Sequence, residues 1–150
     1  MKIAIGNDHA AVELKNHIAE YVAKMGHEVV NFGTDTNEST DYPRYALKVG
    51  QAVTSGECDR GIVICGTGIG ISIAANKVKG IRCALCGDPC SASLCRQHNN
   101  ANVLAMGARI IGPTLAESIV DAFLNTEFEG GRHQRRVNLI HEIEKKQTIE

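Results

Sequence analysis

Apolar positions along the chain alternate between a two-residue and a helical period. Lys2-Ile-Ala-Ile-Gly6 is a short apolar run that reads as a strand and leads straight into Asn7-Asp8-His9. Leu14, Ile18, Tyr21, Val22 and Met25 then recur at helical spacing, and Gly26 is a natural stop. Residues 27–33 read as a second strand, 34–41 as a polar loop, and Tyr42-Pro43 as the first turn of a helix with Ala46, Val49 and Val53 on one side. Residues 60–65 are apolar on both faces, as central parallel strands are. Beyond Gly66-Thr-Gly-Ile-Gly70 the pattern predicts a short helix over 71–76, a strand over 81–86 and a helix over about 89–97. A fifth strand follows over 102–106, with 109–111 as a candidate extension. Pro113 opens a helix carrying Leu115, Ile119 and Phe123, Gly130-Gly131 breaks it, and a last helix runs over about 132–146.

Strands alternating with helices predict an α/β fold. The expected architecture is a doubly wound, Rossmann-like, five-stranded parallel sheet with helices on both faces, plus a C-terminal helix. Its crossovers should be right-handed, and ligands should sit beyond the carboxyl ends of the strands. Asp8-His9, Cys65 and Gly87-Asp88 fall there. No linker or repeat divides residues 1–150, which are read as one domain.

Composition narrows the function. The 150 residues are 43% hydrophobic, enough for one core. Sixteen basic against seventeen acidic residues leave a net charge of −1, which removes any bulk attraction to polyanions. Aromatics are 4% with no Trp, which argues against base stacking. No apolar run approaches the ~18–20 residues of a membrane helix, and residues 1–6 lack the features of an export signal. The expected partner is a small molecule, with no nucleic acid and no membrane, and the expected location is cytoplasmic. Six cysteines are expected to be reduced. Cys83-x2-Cys86-x3-Cys90-x4-Cys95 lacks the paired spacing of structural zinc sites. Cys83 and Cys86, three apart on a strand, should point to opposite faces. The cluster is read as small buried hydrophobes, with no metal.

The glycine-rich turn follows a strand and opens a helix. Its third glycine comes one residue too early for a dinucleotide fingerprint, and no Gly-Lys-Ser/Thr follows. It is either a tight turn needing left-handed backbone or a cradle of N–H groups for an anion. Cys65 favours the second. A thiol at the mouth of such a cradle has a reason to be partly thiolate, and a thiolate can take a proton from carbon while the N–H groups hold the oxyanion. By residue type alone Cys65 would be a buried strand end.

Arg132 and Arg136 are four apart, so on a helix they share a face and can fork onto a phosphate; a solvated basic face is the bland alternative. His98 is either a charge partner for a helix C-terminus or an acid–base group. His9 is either a first-turn helix residue or a phosphate contact. Topology makes one demand: the helix ending at His98 returns from the ligand end of the sheet, so His98 should lie at the opposite rim from its own Cys65. If the two cooperate, His98 comes from a second subunit, and a homodimer with composite sites at the interface is therefore expected.

The motifs Gly6-Asn-Asp-His-Ala-Ala11, Asp41-Tyr-Pro43, Cys65-Gly-Thr-Gly-Ile-Gly70, Ala75-Asn-Lys77, His98-Asn-x-Ala-Asn-Val103 and Gly131-Arg-His-x-x-Arg136 span nearly the whole chain. Together they resemble the B-type ribose-5-phosphate isomerases, a family shared with galactose-6-phosphate isomerase subunits. The resemblance implies cofactor-free interconversion of ribose 5-phosphate and ribulose 5-phosphate through a cis-enediolate. It implies Cys65 as the base, Gly66, Gly68 and Gly70 with Asn99 as the anion hole, and Thr67 in support. His98 would open the ring, and Asp8 and Tyr42 would handle hydroxyls. Arg132, Arg136 and His9 would grip the phosphate, joined by Arg109. Two departures stand out: Asn100 occupies a position that is often Asp, and the cysteines at 83–95 are unusually many. Relatives without the thiol use a Glu after the glycine turn; Ile71-Ser-Ile-Ala-Ala has none. The rival readings are a six-carbon sugar-phosphate isomerase (allose or galactose 6-phosphate), a non-catalytic binder of an anionic metabolite, and a thiol–metal module on Cys83–Cys95.

Overall fold

A computed structural model describes all 150 residues. The strands are β1 (Lys2–Asn7), β2 (Glu28–Asn31), β3 (Arg60–Cys65), β4 (Cys83–Leu85) and β5 (Val103–Gly107). The helices are α1 (Val12–Lys24), α2 (Tyr42–Thr54), α3 (Ile69–Asn76), α4 (Pro89–Asn99), α5 (Pro113–Asn125) and α6 (Arg132–Lys146), with a 3-10 turn at His9–Ala11. All pairings are parallel, in the order β2-β1-β3-β5-β4. The predicted α/β class and strand count are those observed.

Strand order places the site. The chain winds outward from β1 to β2, then returns to lay β3 on the other side of β1. The switch point is therefore the crevice between the carboxyl ends of β1 and β3, where such sheets bind ligands. Asn7 is level with Ile64 in the register, and the Asp8 N–H donates to Ile64 O at 3.3 Å. Asp8 and Cys65 thus emerge side by side.

The alternation of each strand sorts side chains by size. Ile3, Ile5, Ile62, Ile64, Leu104 and Met106 join Ile18 and Val22 of α1 and Ile119 and Phe123 of α5 in the larger core cluster. Ala4, Val63, Cys65, Val103 and Ala105 face Ala46 and Val49 of α2 and Ile71 and Ala75 of α3. Small residues on that second face let α2 approach closely. A Cβ at Gly61 would stand 2.5 Å from Val49 Cγ1, and one at Gly6 2.7 Å from Val49 Cγ2.

Three expectations are corrected. The strand expected over 81–86 is reduced to three residues, because β4 is an edge with one neighbour and Leu85 is exposed. Residues 109–111 do not prolong β5: Ile110 and Ile111 N–H both donate to Gly107 O at 3.0 Å, closing a turn. The cysteines are not uniformly buried. Cys90 is exposed and Cys83 half-buried, while Cys86 and Cys95 are buried. Cys83 and Cys86 do point to opposite sheet faces, one packed in each core cluster. Burial pushes the Cys83 thiol up to about 12, and the neighbouring Cys95, then burial, push Cys86 up as well.

Candidate active site

The carboxyl rim is built around the glycine turn. Cys65 ends β3 and is 4% exposed. Gly68, at φ +79°, is the cap of α3. Its N–H donates to Cys65 Sγ at 3.2 Å, which points a backbone dipole at the sulfur from the start of a helix. A Cβ at Gly68 would meet Leu85 Cδ1 at 2.5 Å and the Met106 carbonyl carbon at 2.8 Å. Sterics as well as dihedral therefore require glycine there. At Gly70 a Cβ would lie 2.7 Å from Tyr42 Cζ, because the exposed Tyr42 ring leans on the turn. Arg109 lies over Gly66, where a Cβ would be 3.3 Å from Nη1. The turn after β5 is tied to the glycine turn by Arg109 N–H to Gly66 O and Ala108 N–H to Cys65 O, both 2.9 Å. Thr67 is exposed at the crest, and its Oγ1 accepts from Ile69 N–H at 3.2 Å.

Asp8 and His9 border the same crevice. Asp8 is 6% exposed, and its Oδ1 caps the 3-10 turn through Ala10 N–H at 3.0 Å. His9 Nδ1 accepts the Thr40 N–H at 3.1 Å. A neutral His9 therefore carries its proton on Nε2, as a donor. The 34–41 loop that supplies this bond is held by Asn7 Nδ2 donating to Thr34 O at 3.1 Å and by the ion pair of buried Lys15 with Asp35. Lys15 and a bond from Asn31 hold the Asp35 carboxyl below the usual carboxylate range. Asp88, also at this rim, is taken up as the N-cap of α4, accepting from Ser91 N–H at 2.7 Å.

The other expected residues gather at the amino rim. His98 and Asn99 end α4 beside the starts of β4 and β5, as the topology requires. Arg82 donates to Asn99 O at 3.1 Å and to Asn100 O at 2.9 Å, which fixes this tip. Asn100 is left-handed at φ 48°, and its Oδ1 accepts from Arg96 at 3.0 Å. Buried Arg96 also donates to Ala101 O at 2.6 Å. Its guanidinium is pushed down to about 10 by burial and by Arg60. Arg132 and Arg136 open α6 and are exposed. Between them His133 turns inward and stacks on His98, with ring centroids 4.4 Å apart. Burial, then Arg132 and His98, push His133 down from its usual value.

One chain therefore brings Cys65, Thr67, the three glycines, Asp8, His9, Tyr42 and Arg109 together. It places His98, Asn99, Arg132 and Arg136 at the other rim, separated by the length of β5, roughly 16 Å at the usual strand rise. His133, Asn7, Lys15, Arg82 and Arg96 were not singled out from sequence. His133 lies inside the basic run, and its offset by one from Arg132 was the available sign that it faces inward.

The sequence model of the ribose/galactose isomerase family matches residues 3–140. The chain belongs to that family. The match excludes a thiol–metal module as the chain's primary identity and makes the protein an aldose–ketose isomerase of sugar phosphates. The chain is 54% identical over 147 residues to ribose-5-phosphate isomerase B of Escherichia coli, covering 98% of this chain and 99% of that one. It is 48% identical over 141 residues to D-erythrulose-4-phosphate isomerase of Pectobacterium atrosepticum, covering 93% of each. The solved structure of Clostridium thermocellum ribose-5-phosphate isomerase B superposes with a TM-score of 0.97 at 59% identity, covering 99% of this chain and 100% of that one. No helix is long and apolar enough to cross a membrane.

Proposed function

We propose that the chain interconverts ribose 5-phosphate and ribulose 5-phosphate, with Cys65 as the base, in composite sites shared by two copies of the chain. The observation that carries this reading is the bond from Gly68 N–H to Cys65 Sγ at the switch point, beside Asp8. His98 of the second copy protonates the ring oxygen and opens the furanose. Cys65 removes the proton from C2, and the electron pair moves onto the carbonyl oxygen to give a cis-enediolate. N–H groups of residues 66–70 and the second copy's Asn99 hold that charge. The proton returns from sulfur to C1 while the proton on O2 passes to O1, so that C2 becomes the carbonyl and the aldose–ketose exchange is completed with protons alone. Thr67 supports the base, and Asp8 and Tyr42 orient hydroxyls.

The phosphate is gripped by Arg132 and Arg136 of the second copy, facing His9 Nε2–H and Arg109 of the first. Anchoring the far end of the sugar holds the reacting carbons in register. Exposed Ile69, Leu85 and Ile110 around the cleft of about 340 Å³ beside Thr67 support a covered rim. Because Cys65 is so little exposed, the side chains of Tyr42 and Arg109 yield as the sugar enters.

Isomerisation of ribose 5-phosphate by Cys65→Ala tests the reading. A general base is worth about a hundred- to ten-thousand-fold, so kcat falls by at least a hundredfold while a competitive inhibitor still binds. Unreduced turnover removes Cys65 from the mechanism. Parallel assays with four- and six-carbon sugar phosphates rank the substrates; a clear preference for either would displace the pentose.

A further inference from the structure

Glu129, just before the Gly130-Gly131 break, has no part in the proposed isomerisation, yet it meets His98 and His133 at the amino rim. Each of the three offers one ligating atom, and these atoms lie within 4.8 Å of one another. His133 Nε2 stands 3.5 Å from Glu129 Oε1. That is long for a hydrogen bond and close to the ~3.3 Å that two donors span across a tetrahedral zinc ion. His133 is 5% exposed, and its Nε2 has no hydrogen-bond partner. A buried polar atom left unpaired costs on the order of 1–3 kcal/mol, so this nitrogen is aimed at a ligand the chain itself does not supply. Glu129 is pinned beside α4 by its own N–H, which donates to Gln97 O at 3.1 Å.

We propose that His98, Glu129 and His133 form a binding site for a zinc-class divalent cation, and that the bound ion inhibits the enzyme by occupying His98. Two imidazoles and one carboxylate are the donor set of open zinc sites, with a fourth position left for water. The two rings are stacked at 14°, so their lone pairs run side by side. Half-buried His98 must turn about its side-chain bonds to complete the site, while His133 and Glu129 already have nearly the required spacing. Arg132 and Arg136 flank the site and oppose the ion's charge, so binding is weaker than at a structural zinc and reversible. Ion binding needs only the three side chains. Inhibition rests in addition on the proposed role of His98.

Cobalt(II) titrated into the purified enzyme in phosphate-free buffer separates these statements. Its visible d–d absorption reports coordination, and a thiolate charge-transfer band would expose binding by cysteine instead. The expected result is one cobalt per chain without a thiolate band, displaced by zinc. Glu129 is exposed on a loop, so Glu129→Gln should fold. Its metal affinity should drop at least about tenfold, since even residues that only support a ligand are worth that much. Its activity in the presence of chelator should equal that of the wild type, and it should need correspondingly more zinc for inhibition. No absorption, a thiolate band, or unchanged affinity in Glu129→Gln overturns the site. Cobalt at the triad with undiminished turnover keeps the site but overturns the inhibition, and removes His98 from the chemistry.

Discussion

Lys15 is 1% exposed, yet its partner Asp35 is largely open to solvent, with a side chain 67% exposed. The Asp35 carboxyl is held below its usual range by Lys15, so the pair stabilises the fold above the unfolded carboxylate value of about 3.9. That contribution is lost as the pH falls through the depressed value. Asp35→Asn should therefore destabilise the protein at neutral pH by about 1 kcal/mol, a partly exposed pair with one buried end. The difference from wild type should shrink as the pH falls below about 3.9 and vanish once it lies below the depressed value of Asp35. Urea midpoints of both proteins across that range check it; a difference that persists at low pH would mean the ion pair is not its source. Single residues differ in how far sequence exposes them. Cys65 and the glycine turn were legible because their meaning is local: a strand end, a turn, a helix start. Lys15, Asn7 and His133 were not, because a polar residue's burial is decided by what packs over it. Tyr42 and Arg109 entered through family resemblance, and only the fold shows why Gly70 and Gly66 lie beneath them.

Elements carry the next lesson in their ends. The amino rim depends on the tip of α4, whose last carbonyls have no partners within the helix. Arg82 supplies donors to Asn99 O and Asn100 O from outside, Arg96 of α4 itself reaches forward to Ala101 O just past the helix, and Asn100 turns the chain in left-handed backbone. Arg96→Met keeps the bulk of the side chain but strands the buried Ala101 carbonyl, so the unfolding free energy should fall by about 2–3 kcal/mol. Arg82→Met should cost less, because Arg82 is only half-buried and water can replace it. Chemical denaturation of both variants tests the ranking; equal small effects would show the tip holds itself. Strand boundaries fail in sequence for a related reason. Residues 81–86 are apolar enough for a central strand, but β4 has one neighbour, so only 83–85 find a ladder. Residues 109–111 are apolar at two of three positions yet close a turn, because Gly107 O accepts twice.

At the scale of the molecule, strand order and helix direction set the two rims apart, and the proposed composite site rests on that separation. The winding that brings Asp8 beside Cys65 also sends α4 back to the far rim with His98. This separation was legible from the alternation of elements alone, before any distance was known. It gives a test that depends on counting. In a mixed dimer of Cys65→Ala and His98→Ala chains, one composite site carries both defects and the other carries neither. Random mixing of equal amounts makes half the dimers mixed, each with one intact site of two, so activity should recover to about one quarter of wild type. If Cys65 instead worked with His98 of its own chain, every site would keep one defect and mixing would restore nothing. Subunit exchange must be shown independently, by mixing differently tagged chains and isolating the hybrid. A hybrid recovered with no activity above the parents would mean that the two rims do not share a substrate.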